Sequence, residues 1–265
     1  FAGDSGDDDV IIMPGDTPLL RPGTIASLVE SHRQREAGVT VLTAALEDAS
    51  GYGRVVRASD GRVAGIVEHG DATDEERAIR EINTSIYCFQ RTLLAPALRR
   101  TGTSNAQGEQ YLTDVVAVLH DAGYATHALV LGDATEAAGV NDRAQLASAE
   151  AELRRRINQE WMQRGVSMTD PQTTYVDASV QLSTDVVLLP GTILRGTTVI
   201  EAGAEIGPNA VLDNSAVGAG AVIGSVVAEH VEIGAHAIVE SFATLGAGAK
   251  VDARGRVGAH DVVVP

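Results

Sequence analysis

The chain of 265 residues is short of several things at once. It has a single cysteine, Cys88, so an internal disulfide framework is impossible and a reducing compartment, the cytoplasm, is expected. Aromatic residues make up 3% of it, so any core must be built from Val, Ile, Leu and Ala. Basic residues are scarce: 20 Lys and Arg against 36 Asp and Glu give a formal net charge of −16. That argues against a nucleic-acid partner, which needs a basic face, and against adsorption to an anionic membrane surface. No apolar run reaches the ~20 residues of a membrane-spanning helix. No charged segment followed by an apolar one opens the chain, so no signal peptide is predicted. The chain starts at Phe1 rather than Met, and residues 262–265 are Val-Val-Val-Pro with no polar cap. A segment cut at both ends is expected.

Hydrophobic residues at 44% are enough to fold, and they fall into two patterns. In the first half, short apolar runs alternate with helical spacings. Val10-Ile11-Ile12-Met13, stopped by Pro14-Gly15, reads as a strand buried on both faces. Residues 24–35 have helical spacing, with Thr24 as a candidate N-cap. Further strands are expected at 39–43, 82–89 and 125–131, a hairpin at 52–67 turning at Ser59-Asp60-Gly61, and helices near 91–100 and 112–122. This order suggests an α/β layer with a largely parallel sheet. Residues 143–164 then form one long helix, with Leu146, Ala149, Leu153, Ile157 and Trp161 at spacings of three and four.

Beyond Val176 the period changes. Aliphatic residues recur every six positions: Leu182, Leu188, Leu194, Ile200, Ile206 and Leu212. The phase slips to Val217 and Ile223, slips again to Val227, and runs on through Ile233, Val239, Leu245, Val251, Val257 and Val263. Small or β-branched residues sit two positions earlier, and glycine often follows the aliphatic, as at Gly218, Gly224 and Gly234. A short fixed period is the signature of a solenoid. Three six-residue sides make a triangular coil with the aliphatic inside and the glycines assigned to the corners. The expected organisation is residues 1–142 as an α/β domain, 143–165 as a linker helix and 166–265 as a β-helix.

The hexapeptide repeat resembles the left-handed β-helix of acyltransferases. Ahead of it an ordered series of motifs occurs: Gly15-Asp16-Thr17-Pro18-Leu19-Leu20, Gly51-Tyr52-Gly53-Arg54, the run from Ile66 to Thr73, Glu81-Ile82-Asn83-Thr84, Asn105-Ala106-Gln107-Gly108-Glu109, Tyr111-Leu112-Thr113-Asp114 and Gly139-Val140-Asn141-Asp142-Arg143. Together these resemble the bifunctional N-acetylglucosamine-1-phosphate uridyltransferases / glucosamine-1-phosphate N-acetyltransferases over nearly the whole chain. The resemblance implies a partial nucleotidyltransferase domain with a Rossmann-like mixed sheet and a partial acetyltransferase domain. It implies Mg2+-dependent uridyl transfer from UTP to N-acetylglucosamine-1-phosphate, giving UDP-N-acetylglucosamine. In the complete protein it implies acetylation of glucosamine-1-phosphate from acetyl-CoA, and a homotrimer in cell-wall precursor synthesis.

The resemblance places substrate contacts at Gly15, Asp16, Gly53, Glu68, Asn83, Tyr111, Thr113 and Asn141, with Asp16 and Asn141 on the metal. Asp16 follows an apolar strand through Gly15, and open α/β sheets bind ligands at the carboxyl ends of strands. A carboxylate and an amide oxygen suit magnesium. On residue type alone, a turn Asp and a helix-capping Asn are the commoner reading. Gly53 suits close approach of backbone to a sugar, or an ordinary turn. Glu68 and Asn83 are polar residues at the ends of apolar strands, and Tyr111 and Thr113 are weaker candidates.

No residue here is expected to act as acid, base or nucleophile, because a phosphate oxygen is already ionised at neutral pH. His230, His236 and His260 lie in the repeat, outside the His-Leu-Thr-Tyr type context of the family's acetyltransferase, and read as solvated or corner residues. Cys88 reads as core. The family's Gly-rich triphosphate loop and its acetyl-CoA coils have no counterpart in these residues, so the chain alone is expected to be inactive. Two other readings remain open: a sugar-1-phosphate nucleotidyltransferase using another nucleotide or sugar, and a non-catalytic β-helix assembly module.

Overall fold

The computed structural model describes residues 8–103 and 105–265. The chain divides into two compact units, Phe1–Ala149 and Glu150–Pro265, and each is taken by itself.

In the first unit, β1 (Asp9–Ile12), α1 (Pro22–Gln34), β2 (Val39–Ala45), β3 (Arg54–Arg57), β4 (Val63–Val67), the short α2 (Asp74–Arg77), β5 (Glu81–Gln90), α3 (Arg91–Leu98), α4 (Asp114–Asp121) and β6 (Thr126–Val130) follow in order, and α5 (Arg143–Gln163) runs across the division. The strands form one sheet in the order β4-β3-β5-β2-β6, with β1 also on β5. Among the described strands of this unit only β2 and β6 pair in parallel; β5 is antiparallel to β1, β2 and β3. The largely parallel sheet suggested by element order is therefore corrected, and the mixed sheet that the resemblance implies is the one present. The ten-residue β5 lies between β1 and β2 and reverses direction against both, and periodicity alone carries no strand direction.

Alternation along the strands divides the core. Val39, Val41, Tyr87 and Phe89 face α4, where Val115, Val116 and Leu119 close the layer. Leu42, Ile86 and Cys88 face α1 through Leu28. The central β2 is buried on both faces, as a continuous apolar run demands. β1 is not: Ile11 is 38% exposed, and Met13 just beyond the strand 49%, because the strand's paired neighbour among the described strands is β5 alone. The N-cap of α1 is Arg21 rather than Thr24. Pro22 starts the helix with its φ already fixed, and Thr24, one turn in, donates from Oγ1 to Glu136.

In the second unit the expected β-helix is present as a parallel one. Seventeen strands of two or three residues, β7 to β23, run from Ser167–Met168 to Val262–Val263. Met168, Leu188, Ile206, Ile223, Val239 and Val257 stack in register on one side. Leu182, Ile200, Val217, Ile233 and Val251 stack on a second. Val176, Leu194, Leu212 and Ala228 begin the third. The residues two positions before the aliphatics, from Val180 to Ala249, are buried as well, so each side contributes two inward side chains. One register differs from expectation. Val227 is 74% exposed and Ala228 points inward, because the side ending there is five residues long rather than four.

Gly218, Gly224 and Gly234, which follow aliphatics, do not serve the corners. A Cβ on Gly218, Gly224 or Gly234 would lie 2.6, 2.6 or 2.4 Å from a backbone nitrogen of the next coil. These positions are small because successive coils touch there. The left-handed corners lie two residues further on, and most are held by other residues: Asp185, Asn209, His230, His236, Phe242, Arg254 and His260 all have φ between 55 and 68 or close to it at 54. All three histidines of the repeat are thus corner residues. Ile157 and Trp161 of α5 pack on the apolar interior of the coils. Asn158 pins the same helix by donating to Pro171 O at 2.8 Å and Thr174 O at 2.9 Å. Leu146 and Leu153 of the same stripe are exposed.

Gly234→Ala should destabilise the β-helix by ~1–3 kcal/mol or more, because the new methyl meets backbone that has no rotamer to escape into. Arg254→Gly, at φ 60, should change stability by less than ~1 kcal/mol, since relief of strain offsets the extra freedom of the unfolded chain. Thermal unfolding followed by far-ultraviolet circular dichroism ranks the two. A corner variant less stable than Gly234→Ala would contradict this account of the repeat.

Candidate functional site

Strand registers gather one end of the sheet of the first unit. Arg54, at the start of β3, pairs with Val67 at the end of β4 and with Ile82 at the start of β5. Ala44, at the end of β2, pairs with Ile82 as well. β1 runs in the same direction as β2, so the chain leaves it toward Gly15 and Asp16 at that same end. Gly53, Glu68, Asn83 and Asp16 therefore all lie at one edge.

Three of them are in direct contact or bonded through the backbone. A Cβ on Gly53 would lie 3.3 Å from Glu68 Oε2 and 3.1 Å from Ile66 Cγ2. Gly53 O accepts from Asn83 N at 2.9 Å. Glu68 Oε1 in turn accepts from Thr113 Oγ1 at 3.1 Å. Gly53, Asn83 and Thr113 are buried. Arg54 donates to Tyr52 O, which ties down the loop carrying Gly53.

Asn83 is aimed by a break in β5. The register between β2 and β5 shifts after Leu42, leaving Thr84 and Ser85 as extra residues. Ser85 takes φ 61, a left-handed conformation unusual for a residue with a side chain. Asn83 Oδ1 accepts from Ser85 N at 3.0 Å and so caps the bulge. Its Nδ2 donates to the buried Tyr87 hydroxyl at 2.8 Å. Burial pushes the Tyr87 phenol well above its ordinary pKa, so it stays protonated. Bulges of this kind commonly re-aim side chains beside functional sites.

Glu68 and Tyr111 line a cavity of about 380 Å³ together with Ile66, Val67, Asp71, Gly102, Asn105 and Asp114. Its polar wall is mostly carboxylate. Burial raises the Asp114 pKa, and the Asp71 charge adds to the effect. Partial desolvation, with Asp71 again contributing, also raises Tyr111. Sequence reasoning did not single out Asp71, Gly102, Asn105 or Asp114. Three of the four stand inside the quoted motif strings, so the signal was present without a role attached.

Asp16 and Asn141 meet around a glycine. A Cβ on Gly139 would lie 3.5 Å from Asp16 Oδ2 and 4.0 Å from Asn141 Nδ2. Val140 N donates to Asp16 O at 2.9 Å, which holds the two segments together. The helix cap belongs to Asp142 rather than Asn141: Asp142 Oδ1 accepts from Gln145 N at 2.7 Å. Asn141's side chain is left exposed beside an exposed Asp16. A carboxylate and an amide, whose rotation presents its oxygen, both within ordinary contact distance of one point beside Gly139, are the kind of donors a hard divalent cation takes. Gly15 is exposed, with open space where a Cβ would be.

A mixed sheet with this acceptor-rich edge, joined in sequence to a parallel β-helix, defines the class. The family model of nucleotidyl transferases matches residues 1–163, and the chain belongs to that family. Within it, the chain is 46% identical over 255 residues to the bifunctional protein GlmU of Streptomyces avermitilis, covering 96% of this chain and 53% of that protein. It is 46% identical over 250 residues to GlmU of Pseudarthrobacter chlorophenolicus (94% and 51%) and 45% identical over 252 residues to GlmU of Corynebacterium efficiens (95% and 52%). The chain thus spans about half the length of the curated relatives it matches.

Tyr87→Phe strands the Asn83 amide without an acceptor in a buried setting. It should cost ~1–3 kcal/mol, the usual penalty for an unsatisfied buried donor. In urea unfolding the midpoint should fall with the slope unchanged. An unaltered midpoint would show that Asn83 is not held as described.

Proposed function

We propose that the first unit serves uridyl transfer from UTP to N-acetylglucosamine-1-phosphate, forming UDP-N-acetylglucosamine and pyrophosphate. The observation that carries this reading is the gathering of Gly53, Glu68, Asn83 and Thr113 with the Asp16–Asn141 pair at one edge of a nucleotidyl transferase sheet. The carboxylates around the cavity accept hydrogen bonds from sugar hydroxyls, and Gly53 lets the ring approach the backbone. Tyr111 closes the cavity wall.

Asp16 and Asn141 would hold Mg2+, which when bound offsets phosphate charge. The attacking group is the sugar phosphate oxygen, ionised at neutral pH, so the protein needs no strong general base. Its work is to position two anions in line and keep them there. The Glu68–Thr113 bond fixes one wall of the sugar cavity, and the Asn83–Tyr87 bond fixes the bulge beside it.

The same reading extends to a protein of the relatives' length. There the β-helix belongs to a domain that acetylates glucosamine-1-phosphate from acetyl-CoA, three copies associate through their coils, and the product enters peptidoglycan synthesis in the cytoplasm. Residues 1–142, 143–165 and 166–265 are then a partial nucleotidyltransferase domain, a linker and a partial acetyltransferase domain.

In that longer protein, Asp16→Ala should lower pyrophosphate release by about 100-fold or more at limiting Mg2+. Acetyl transfer in the same preparation should keep its wild-type rate. Wild-type pyrophosphate release at limiting Mg2+ would overturn the metal assignment.

A further inference from the structure

The opposite end of β1 carries a second convergence of side chains. Across β1 and β5, Ile11 pairs with Cys88 and Asp9 with Gln90, so Asp9 and Cys88 are diagonal neighbours on one face. Thr40 of β2 pairs with Cys88 from the other side. α1 covers this face and lowers His32 onto it. One carboxylate oxygen of Asp9, one ring nitrogen of His32 and the Cys88 sulfur all lie within 4.8 Å of one another. His32 and Cys88 are buried, and the Asp9 side chain is 12% exposed.

Two further contacts orient this group. His32 Nδ1 lies 3.0 Å from Thr40 Oγ1. Its Nε2 is turned toward Asp9 Oδ1 at 3.5 Å, too far for a good hydrogen bond. Arg33 donates from Nε to Asp9 Oδ2 at 2.7 Å, which leaves Oδ1 facing inward. A ring held at Nδ1 with Nε2 presented, and a carboxylate anchored by one oxygen with the other presented, is the outer-shell arrangement that orients metal ligands.

We propose that Asp9, His32 and Cys88 form a binding site for a borderline divalent cation of the zinc class, separate from the Asp16–Asn141 pair. Sulfur and imidazole donors select such ions over Mg2+. A tetrahedral zinc ion, with Zn–S ~2.3 Å and Zn–N ~2.0–2.1 Å, sets neighbouring donor atoms ~3.3–3.6 Å apart. The His32–Asp9 separation of 3.5 Å already meets this. On binding, the Cys88 S–H bond breaks, a sulfur–metal bond forms and the proton leaves to solvent, with no change of oxidation state. Burial pushes the free Cys88 thiol up to about 11, so the cation is what makes the thiolate at neutral pH. The ion's charge is matched by the thiolate and the Asp9 carboxylate, while His32, lowered chiefly by its burial, enters neutral. Entry is from the Asp9 side, past the Arg33 side chain, which is 67% exposed. A water completes the fourth position there.

The test is titration of the chelator-stripped chain with Co2+, followed by optical absorption. One equivalent should produce a thiolate-to-cobalt charge-transfer band in the near ultraviolet together with tetrahedral ligand-field bands, and Zn2+ should abolish both. Cys88→Ser, nearly isosteric, should remove the charge-transfer band while circular dichroism stays native. Thr40→Val, which touches only the outer shell, should weaken Co2+ binding by roughly 10–100-fold. No charge-transfer band at stoichiometric Co2+ in the folded chain would overturn the proposal, leaving a buried His–Asp pair beside an inert thiol. A band that survives Cys88→Ser would overturn it equally.

Discussion

The backbone ladder of β5 is the interaction on which the first unit depends. Its first residues pair with β3 and its last four with β1, while β2 follows it along most of its length. One strand thus carries the hydrogen bonds that place three others. Because its side chains alternate, Tyr87 and Phe89 serve one core layer while Ile86 and Cys88 serve the other. The bulge at Thr84–Ser85 is the single break in this ladder. Leu42 O, which the break would otherwise leave short of a partner, accepts from Thr84 Oγ1 at 2.7 Å. Asn83 takes up the Ser85 N–H. Side chains of the bulge thus take up two backbone groups, and what it yields is a buried amide at the sheet edge where the cavity residues collect.

A different constraint rules the second unit. A coil with two inward side chains per side closes only if successive coils approach closely, and the glycines at 218, 224 and 234 are where they do. The corners, by contrast, require left-handed φ but leave room for a side chain, so His, Asn, Asp, Arg and Phe are accepted there. The exposed ring of Phe242 even stacks on His260, their centroids 6.1 Å apart. Chemistry-bearing residues in such a repeat are thus no sign of a site, because the corner position admits them for conformational reasons.

Much of this was legible in the sequence. The strand and helix order, the switch to a six-residue period and the inward positions from Leu182 to Ile223 follow from spacing, because spacing records which side chains are buried. The motif series placed Gly53, Glu68, Asn83 and Thr113, which the fold brings to one edge. What spacing could not carry is direction and distance. Nothing in residues 82–89 says that β5 runs against its neighbours, so element order alone suggests a largely parallel sheet and only the family resemblance implies the mixed one. Nothing in the glycine pattern separates a need for positive φ from a need for close approach, so the corner was assigned two residues early. Val227 was misplaced because two shortened sides in succession leave no unbroken period to read. The Asp9–His32–Cys88 group was invisible for a plainer reason. Its members come from two strands and a helix, far apart in sequence, and it takes the register of β1 on β5 together with the packing of α1 to make them neighbours.

The charge of the chain fits the division of labour proposed along β1. The cavity beside Glu68 offers carboxylates and an amide but no Lys or Arg among its lining residues. Such a wall attracts hydrogen-bond donors and repels anions, which on the proposed function suits a sugar ring better than the phosphate attached to it. At the same edge the Asp16–Asn141 pair offers oxygen donors suited to a hard cation. At the other end of β1 sulfur and nitrogen donors join the Asp9 carboxylate, enclosed rather than open, a set that suits a softer ion. One four-residue strand thus separates two donor sets by hardness as well as by distance. If both proposed sites are filled, selectivity runs one way: Mg2+ has little affinity for a thiol–imidazole pair, so it would leave the Asp9–His32–Cys88 group to a softer ion.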